Sequence, residues 1–447
     1  MNSSDDKLLR LTDLVAAARA AGADAADAVL VEGVSMTLGW RMGALENLDR
    51  AEGSDIGLRV FFGRRQAITS SSDLGRDALK ELVERAAAMA RAAPEDPFCG
   101  LADPRDLARD IPDLDLADAE DASVETLTER ARRAEDAARA VPGVTNSEGA
   151  QASFSRSMFY LAASNGFARA HGETGHGVAA SVLAGGGTAM ERDYDYASTL
   201  HAADLPEPET IGAEAGRRAV RRLNARKAVS ARVPVVFEPR VAGSLVRHLA
   251  SAVNGQSVAR GTTFLKDKMG ARIFSEGVTI VDDPLRKRGL GSRPFDGEGL
   301  PSRPLTLVDR GVLKSWILDL RSARQLNLKS TGHAARGVSS PPAPSTSNLY
   351  LAAGAITPEA MLADIKEGLF VTELIGMGVN GVTGDYSRGA AGFWIENGQL
   401  AYPVSEVTIA GNLKDMFLNV AAANDLVFRY GTNAPTLRVD GLAVAGR

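Results

Sequence analysis

The chain has 447 residues, 45% of them hydrophobic and 24% charged, with a net charge of −5. That length allows two or three domains of ordinary globular composition, and the mild charge gives no footprint for nucleic acid or an anionic membrane surface. No apolar run reaches the roughly 18 residues of a membrane span. The opening "MNSSDDK" lacks the basic and apolar regions of a signal peptide, so a cytoplasmic location is expected. The single cysteine, Cys99, excludes an internal disulfide and a Cys-rich zinc motif, and "DPFCGLADP" offers it no basic neighbour that would make it a nucleophile.

Periodicity and turn residues predict the elements in chain order. "DDKLLRLTDLVAAARAAG" (5–22) is an amphipathic helix opened by Asp5 and Asp6 and stopped by Gly22. "DAVLVEG", "SMTLGWR" and "SDIGLRVFFG" read as short strands broken by glycines, and "RRQAITSSSDL" as a strand leading into a helix over 77–93. Residues 94–122, rich in Asp and Pro, form a looser segment, followed by a helix over 124–141. "SRSMFYLAASNGFARAHGETGHGVAASVLAGGG" carries the Asn-Gly and Gly-rich turns of antiparallel hairpins, and a helix over 209–225 closes this half. After the polar stretch 224–232 come many short apolar runs punctuated by Gly, Asp and Pro, among them "GFWIENGQLAYPV" with its Asn397-Gly398 hairpin turn. The fold class is therefore α+β. An N-terminal α/β domain (1–228) precedes a β-rich, mainly antiparallel, barrel-like or sandwich-like domain (229–447).

Candidate chemistry begins with "GSLVRHLASAVNG" (243–255), a helix entered from the buried strand "VPVVF" and bearing His248. A zinc hydrolase helix needs two imidazoles on one side and a carboxylate near the open coordination position. Here Leu249, Ala252 and Val253 stand where the carboxylate and second histidine belong, and none of them can bind metal or act as a base. "HGETGH" (171–176) has the composition of a ligand cluster, but on a strand residues five apart face opposite ways. No G-x-S-x-G elbow is present. His333 sits in the Ser-, Gly- and Pro-rich stretch 330–348, a surface loop or a groove lining. "GVNGVTGDYSRGAAGFW" (378–394) reads as a tightly turning segment, either functionally shaped or a long hairpin in which Asp385 caps the turn.

The run "GVNGVTGDYSRGAAGFWIENGQLAYPVSEVTIAGNLKDMFLNV" resembles the C-terminal signature of the TldD/PmbA family, and more narrowly of its PmbA (TldE) branch. "GLRVFFGRRQAITSSSDL", "LAASNGFARAHGETGH", "VPVVFEPRVAGSLVRHLASAVNGQSVARGTTFLKDKMG", "DLRSARQLNLKSTGHAARG" and "NLYLAAG" carry the likeness in colinear order over nearly the whole chain. The resemblance implies a cytoplasmic protein with an N-terminal α/β domain and a C-terminal β-rich domain. It implies a TldD branch of zinc peptidases with H-E-x-x-x-H on the helix after the first C-terminal strand and a distal cysteine ligand. The PmbA branch lacks that motif and pairs with a TldD-type subunit as a heterodimer. The pair trims leader peptides from microcin precursors and degrades unfolded polypeptides, including an antitoxin, and the family also carries the description of a modulator of DNA gyrase.

Carried over residue by residue, His248 falls on the first motif histidine, with Leu249 in place of the glutamate and Val253 in place of the second histidine; the second half has no cysteine. No catalytic residue and no metal are then expected in this chain, and zinc is expected in the TldD-type partner. The substrate-groove or interface candidates are Thr383, Gly384, Asp385, Tyr386, Ser387, Arg388 and His333. The expected occupant is an extended polypeptide added as a strand against the 378–394 segment. Two other readings stay open: a non-proteolytic regulatory or binding homodimer of the gyrase-modulator type, and a stand-alone metal-independent hydrolase using His333 and a nearby serine.

Overall fold

The structure, a computed structural model, describes residues 3–446. Its N-terminal half is one antiparallel sheet of six strands, β1 (Ala25–Arg41), β2 (Ala44–Phe62), β3 (Arg65–Ser71), β4 (Val144–Ala163), β5 (Ala168–Ala184) and β6 (Glu191–Thr199), in the order β3-β2-β1-β4-β5-β6. Where the glycines suggest three short strands before β3, two long ones run instead. Gly33 and Gly53 lie opposite each other in the β1–β2 ladder, and β4 pairs along the other side of β1, so hydrogen bonds hold the chain extended through the weak positions.

Alternation along these strands creates two different faces. Ala26, Ala28 and Leu30 of β1 and Ile56, Leu58 and Val60 of β2 pack against helices α1 (Ser3–Ala20) and α2 (Arg76–Ala92). Further along the same face, Leu38, Phe154, Val178 and Val182 pack against α3 (Val124–Arg139) and α4 (Pro208–Arg221). Ser123 caps α3 by accepting from the Thr126 amide. On the opposite face Val29, Leu161 and Phe167 meet Phe295 from the C-terminal half.

The C-terminal half closes a five-stranded barrel. Strand β7 (Ala231–Phe237) pairs in parallel with β8 (Glu367–Ile375); β9 (Asp385–Glu396), β10 (Gln399–Asn412) and β11 (Leu437–Ala445) follow antiparallel, and β11 returns to β7. Closure removes the free edges of a sheet. Helix α5 (Pro239–Ala252) follows β7 directly and shares the largest core with the barrel and a small sheet built around Ile280–Asp282 and Leu349–Leu351. Among the described residues no helix is long and apolar enough to cross a membrane.

Buried charge joins the halves. Asp27 of β1 receives Arg59 Nε of β2 at 3.1 Å and stands 2.7 Å from Nη1 of Arg336, a C-terminal-half residue; their side chains are 3%, 4% and 0% exposed. Alongside, a Cβ on Gly57 would lie 1.9 Å from the Val338 carbonyl oxygen, so only glycine admits that backbone. At the far end of the sheet the free edge of β6 is covered by arginines. Arg240 donates to the Asp193 carboxylate at 2.7 Å and the Tyr194 carbonyl at 3.0 Å, and Arg429 donates to Asp195 and to the Tyr196 carbonyl. Breaking the first cluster should be costly, since Asp27→Asn leaves two buried guanidiniums facing a neutral amide. The expected loss is about 3 kcal/mol or more in denaturant unfolding at neutral pH; an unchanged midpoint would show that the cluster contributes nothing net.

Candidate functional site

The helix that carries His248 is built by its surroundings. Pro239 occupies its first turn, where a missing amide proton is harmless, and Val241, Leu245, Val246 and Leu249 face the core. Leu249 and Val253 are fully buried, so the positions that would supply a base and a second imidazole are spent on packing. His248 remains half-buried at the helix surface, where its ring meets the edge of Tyr386 with centroids 5.9 Å apart.

Tyr386 and Arg388 reach this helix from β9. Two residues apart on a strand, they share a face, while Asp385 and Ser387 point to solvent. Burial and the guanidiniums of Arg388 and Arg247 push the His248 imidazole down to about 4, keeping it neutral. Burial pushes the Tyr386 hydroxyl well above the usual phenol range. These residues do not fit zinc. One imidazole flanked by two guanidiniums supplies a single donor in a field that repels a dication, and a structural or catalytic zinc takes at least three protein ligands. Among the described residues no three His, Cys, Asp or Glu side chains are grouped to hold a metal.

The other candidates separate. Thr383, Gly384 and Asp385 close the loop before β9. Asp385 accepts from Thr383 Oγ1 at 2.6 Å and Asn412 Nδ2 at 3.0 Å, bonds that hold its carboxyl below the usual range, and Gly384 takes φ +87° with Asn412 against it. Strand addition at this segment is corrected by the ladder. β9 pairs with β10 on one side, and on the other with β8 and then the 378–380 loop, whose Gly378 carbonyl accepts from the Ser387 amide. His333 does not line a groove. It is fully buried, with Nε2 3.2 Å from Asp282 and Nδ1 2.8 Å from the Thr331 carbonyl oxygen. Ser347 donates to the same Asp282 at 2.7 Å rather than to the imidazole, so serine and histidine both serve a buried carboxylate and neither activates the other.

"HGETGH" lies within β5, with no turn in it. His171 packs on Phe159 and Phe295 at the junction of the halves, whereas His176 packs on Phe154 with Asp118 at 3.3 Å. The sequence reading missed Arg247 as a member of the His248 cluster. Its only linear signal is its place beside His248; what gathers the group is the approach of β9 to α5. Burial, reinforced by Arg293, pushes His171 down to about 4. A histidine depressed in the folded state stabilises fully above its unfolded value near 6.5, and that contribution is lost as pH falls from there toward 4, by up to about 1.4 kcal/mol per unit. Unfolding free energies measured from about pH 7 to about pH 4.5 should therefore fall more steeply for the natural chain than for His171→Phe; parallel profiles would refute the assignment.

Comparison with known proteins matches the chain to one family in three successive segments. Residues 26–90, 117–223 and 230–446 match the models for domain 1, the central domain and the C-terminal domain of the PmbA/TldA metallopeptidases. The chain is 38% identical to Metalloprotease PmbA of Escherichia coli O157:H7, over 95% of this chain and 93% of that one. It is 35% identical to a Metalloprotease PmbA homolog of Haemophilus influenzae over the same shares. A crystal structure of a candidate DNA gyrase modulator from Bacteroides thetaiotaomicron superposes with a TM-score of 0.91 at 26% identity, covering 100% of both chains. TldE from Thermococcus kodakarensis has the same fold, with a TM-score of 0.88 at 20% identity over 98% of this chain and 100% of that one. With its three domains matched in order and its similarity extending nearly end to end, this chain belongs to the PmbA/TldD metallopeptidase family, on the PmbA/TldE branch.

Proposed function

We propose that this chain is the non-catalytic subunit of a zinc metallopeptidase, binding unfolded or leader-peptide substrates and completing an assembly whose metal sits on a TldD-type partner. The observation that carries the reading is the α5 corner. The helix after the first C-terminal strand has the place of a peptidase motif, yet Leu249 and Val253 are sealed in the core and two guanidiniums flank the lone imidazole. The PmbA relatives bear the name metalloprotease, which suits a subunit of a protease better than a protein with no proteolytic role.

In this reading the chain contributes surface. The 378–394 segment presents side chains to a groove, with its backbone already paired, and the Thr383–Asp385–Asn412 bonds set the shape of its leading loop. Exposed apolar side chains on that loop and beside it, Ile375, Met377 and Val382, suit contact with an unfolded chain or with the partner subunit.

Reconstitution tests the assignment. Purified alone without a metal-binding tag, the chain should carry well under a tenth of an equivalent of zinc by mass spectrometry and should not cleave an unfolded polypeptide. Mixed with a zinc-bearing TldD-type subunit, it should restore cleavage that the partner alone lacks. About one equivalent of zinc in the isolated chain, or chelator-sensitive cleavage by it, would overturn the reading. Separately, Asp385→Ala should loosen the loop and slow processing by the pair several-fold while partner zinc stays unchanged, and normal processing would remove this segment from the groove.

A further inference from the structure

The corner that lacks the features of a metal site has a different deficiency, an unbalanced positive charge. Arginines along the β6 edge of the junction are matched: Arg240 with Asp193, Arg222 with Glu373, Arg218 with Glu214 and Glu238, and Arg429 with Asp195. Arg247 and Arg388 have no such carboxylate among the described residues. Burial weakens the hold of Arg247 on its proton, the nearby Tyr196 opposes that shift, and Arg388 adds to it. Three polar atoms of this cluster are shielded from solvent and without a hydrogen-bond partner among the described residues: His248 Nε2, Tyr386 Oη and Arg388 Nε. Buried polar atoms are nearly always paired, so these three have hydrogen-bonding capacity that no protein group uses.

We infer that Arg247 and Arg388, above the floor of His248 and Tyr386, form a carboxylate-binding site that fixes one end or one acidic side chain of an extended peptide. The chemistry fits on three counts. A carboxylate's two oxygens match the planar fork of guanidinium donors, and bridging two arginines removes their mutual repulsion. A neutral imidazole and an un-ionised phenol add hydrogen-bonding capacity without a competing negative charge. Arg247 is exposed while His248 and Arg388 are half-buried, so the site opens to solvent and reaches inward. That the carboxylate belongs to a peptide rests on the function proposed above; the uncompensated charge does not.

The test is calorimetric binding of a short unstructured peptide to the full chain without any partner. Three forms are compared: a free C-terminus with no acidic residue, its C-terminal amide, and the amide with one internal aspartate. The free acid or the aspartate peptide should bind about tenfold tighter than the plain amide, the worth of one charge-assisted contact. Preference for the free acid assigns the site to chain termini, and preference for the aspartate form assigns it to side chains. Arg388→Gln and Arg247→Gln should each erase the difference; Arg247 is exposed, so its variant keeps the fold and carries the test if the other unfolds. Equal binding of all three forms, or a preference that survives Arg247→Gln, would overturn the inference. Failure here with normal reconstituted cleavage leaves the subunit assignment standing, whereas zinc in the isolated chain would remove that assignment without touching the peptide result.

Discussion

The buried carboxylate of Asp27 is the constraint on which the arrangement of the two halves depends. It lies on the face of the N-terminal sheet turned toward the C-terminal half, between one guanidinium from its own sheet and one from the opposite half. Burying these groups singly would be prohibitive, because a desolvated charge costs several kcal/mol unless it is paired. The ion pair from Asp27 to Arg336 forms only when both halves are folded and seated. The fit at Gly57 and Val338 adds a steric condition to the electrostatic one.

The second ionic seam, where Arg240 and Arg429 grip the edge of β6, has a consequence for function. A six-stranded open sheet has a free edge where another chain can add. Here two edge carbonyls already receive arginine protons from the other half, and the acidic side chains Asp193 and Asp195 hold those arginines in place. The β6 edge is therefore closed to strand addition at these two carbonyls.

The α5 corner joins a helix packed firmly into the core to an exposed and charged outer face. Leucine and valine at 249 and 253, where a zinc-peptidase helix would carry its base and second imidazole, are both buried, and burial of such side chains stabilises by roughly 1.5–3 kcal/mol each. The remaining imidazole is held neutral by its surroundings and by the adjacent arginines. The chemistry left at the corner is recognition of negative charge, the opposite of what a zinc-bearing helix provides.

Much of this was legible in the chain. The helices α2, α3 and α4 start within one residue of the positions 77, 124 and 209 read from the chain, and the absence of a glutamate after His248 can be read directly, because ligands on a helix are set by spacing of three to five residues. Three things needed the tertiary structure. Pairing with β2 and β4 carried β1, and pairing with β1 carried β2, through glycines that locally argue for a break. The Ser- and Pro-rich stretch around His333 folded inward because Asp282, some fifty residues earlier, offers its carboxylate to both His333 and Ser347. Arg247 and Arg388 stand about 140 positions apart, and only barrel closure brings them together. Linear sequence determines what repeats within a few residues; burial and charge balance depend on which distant segments meet, and local periodicity does not encode that.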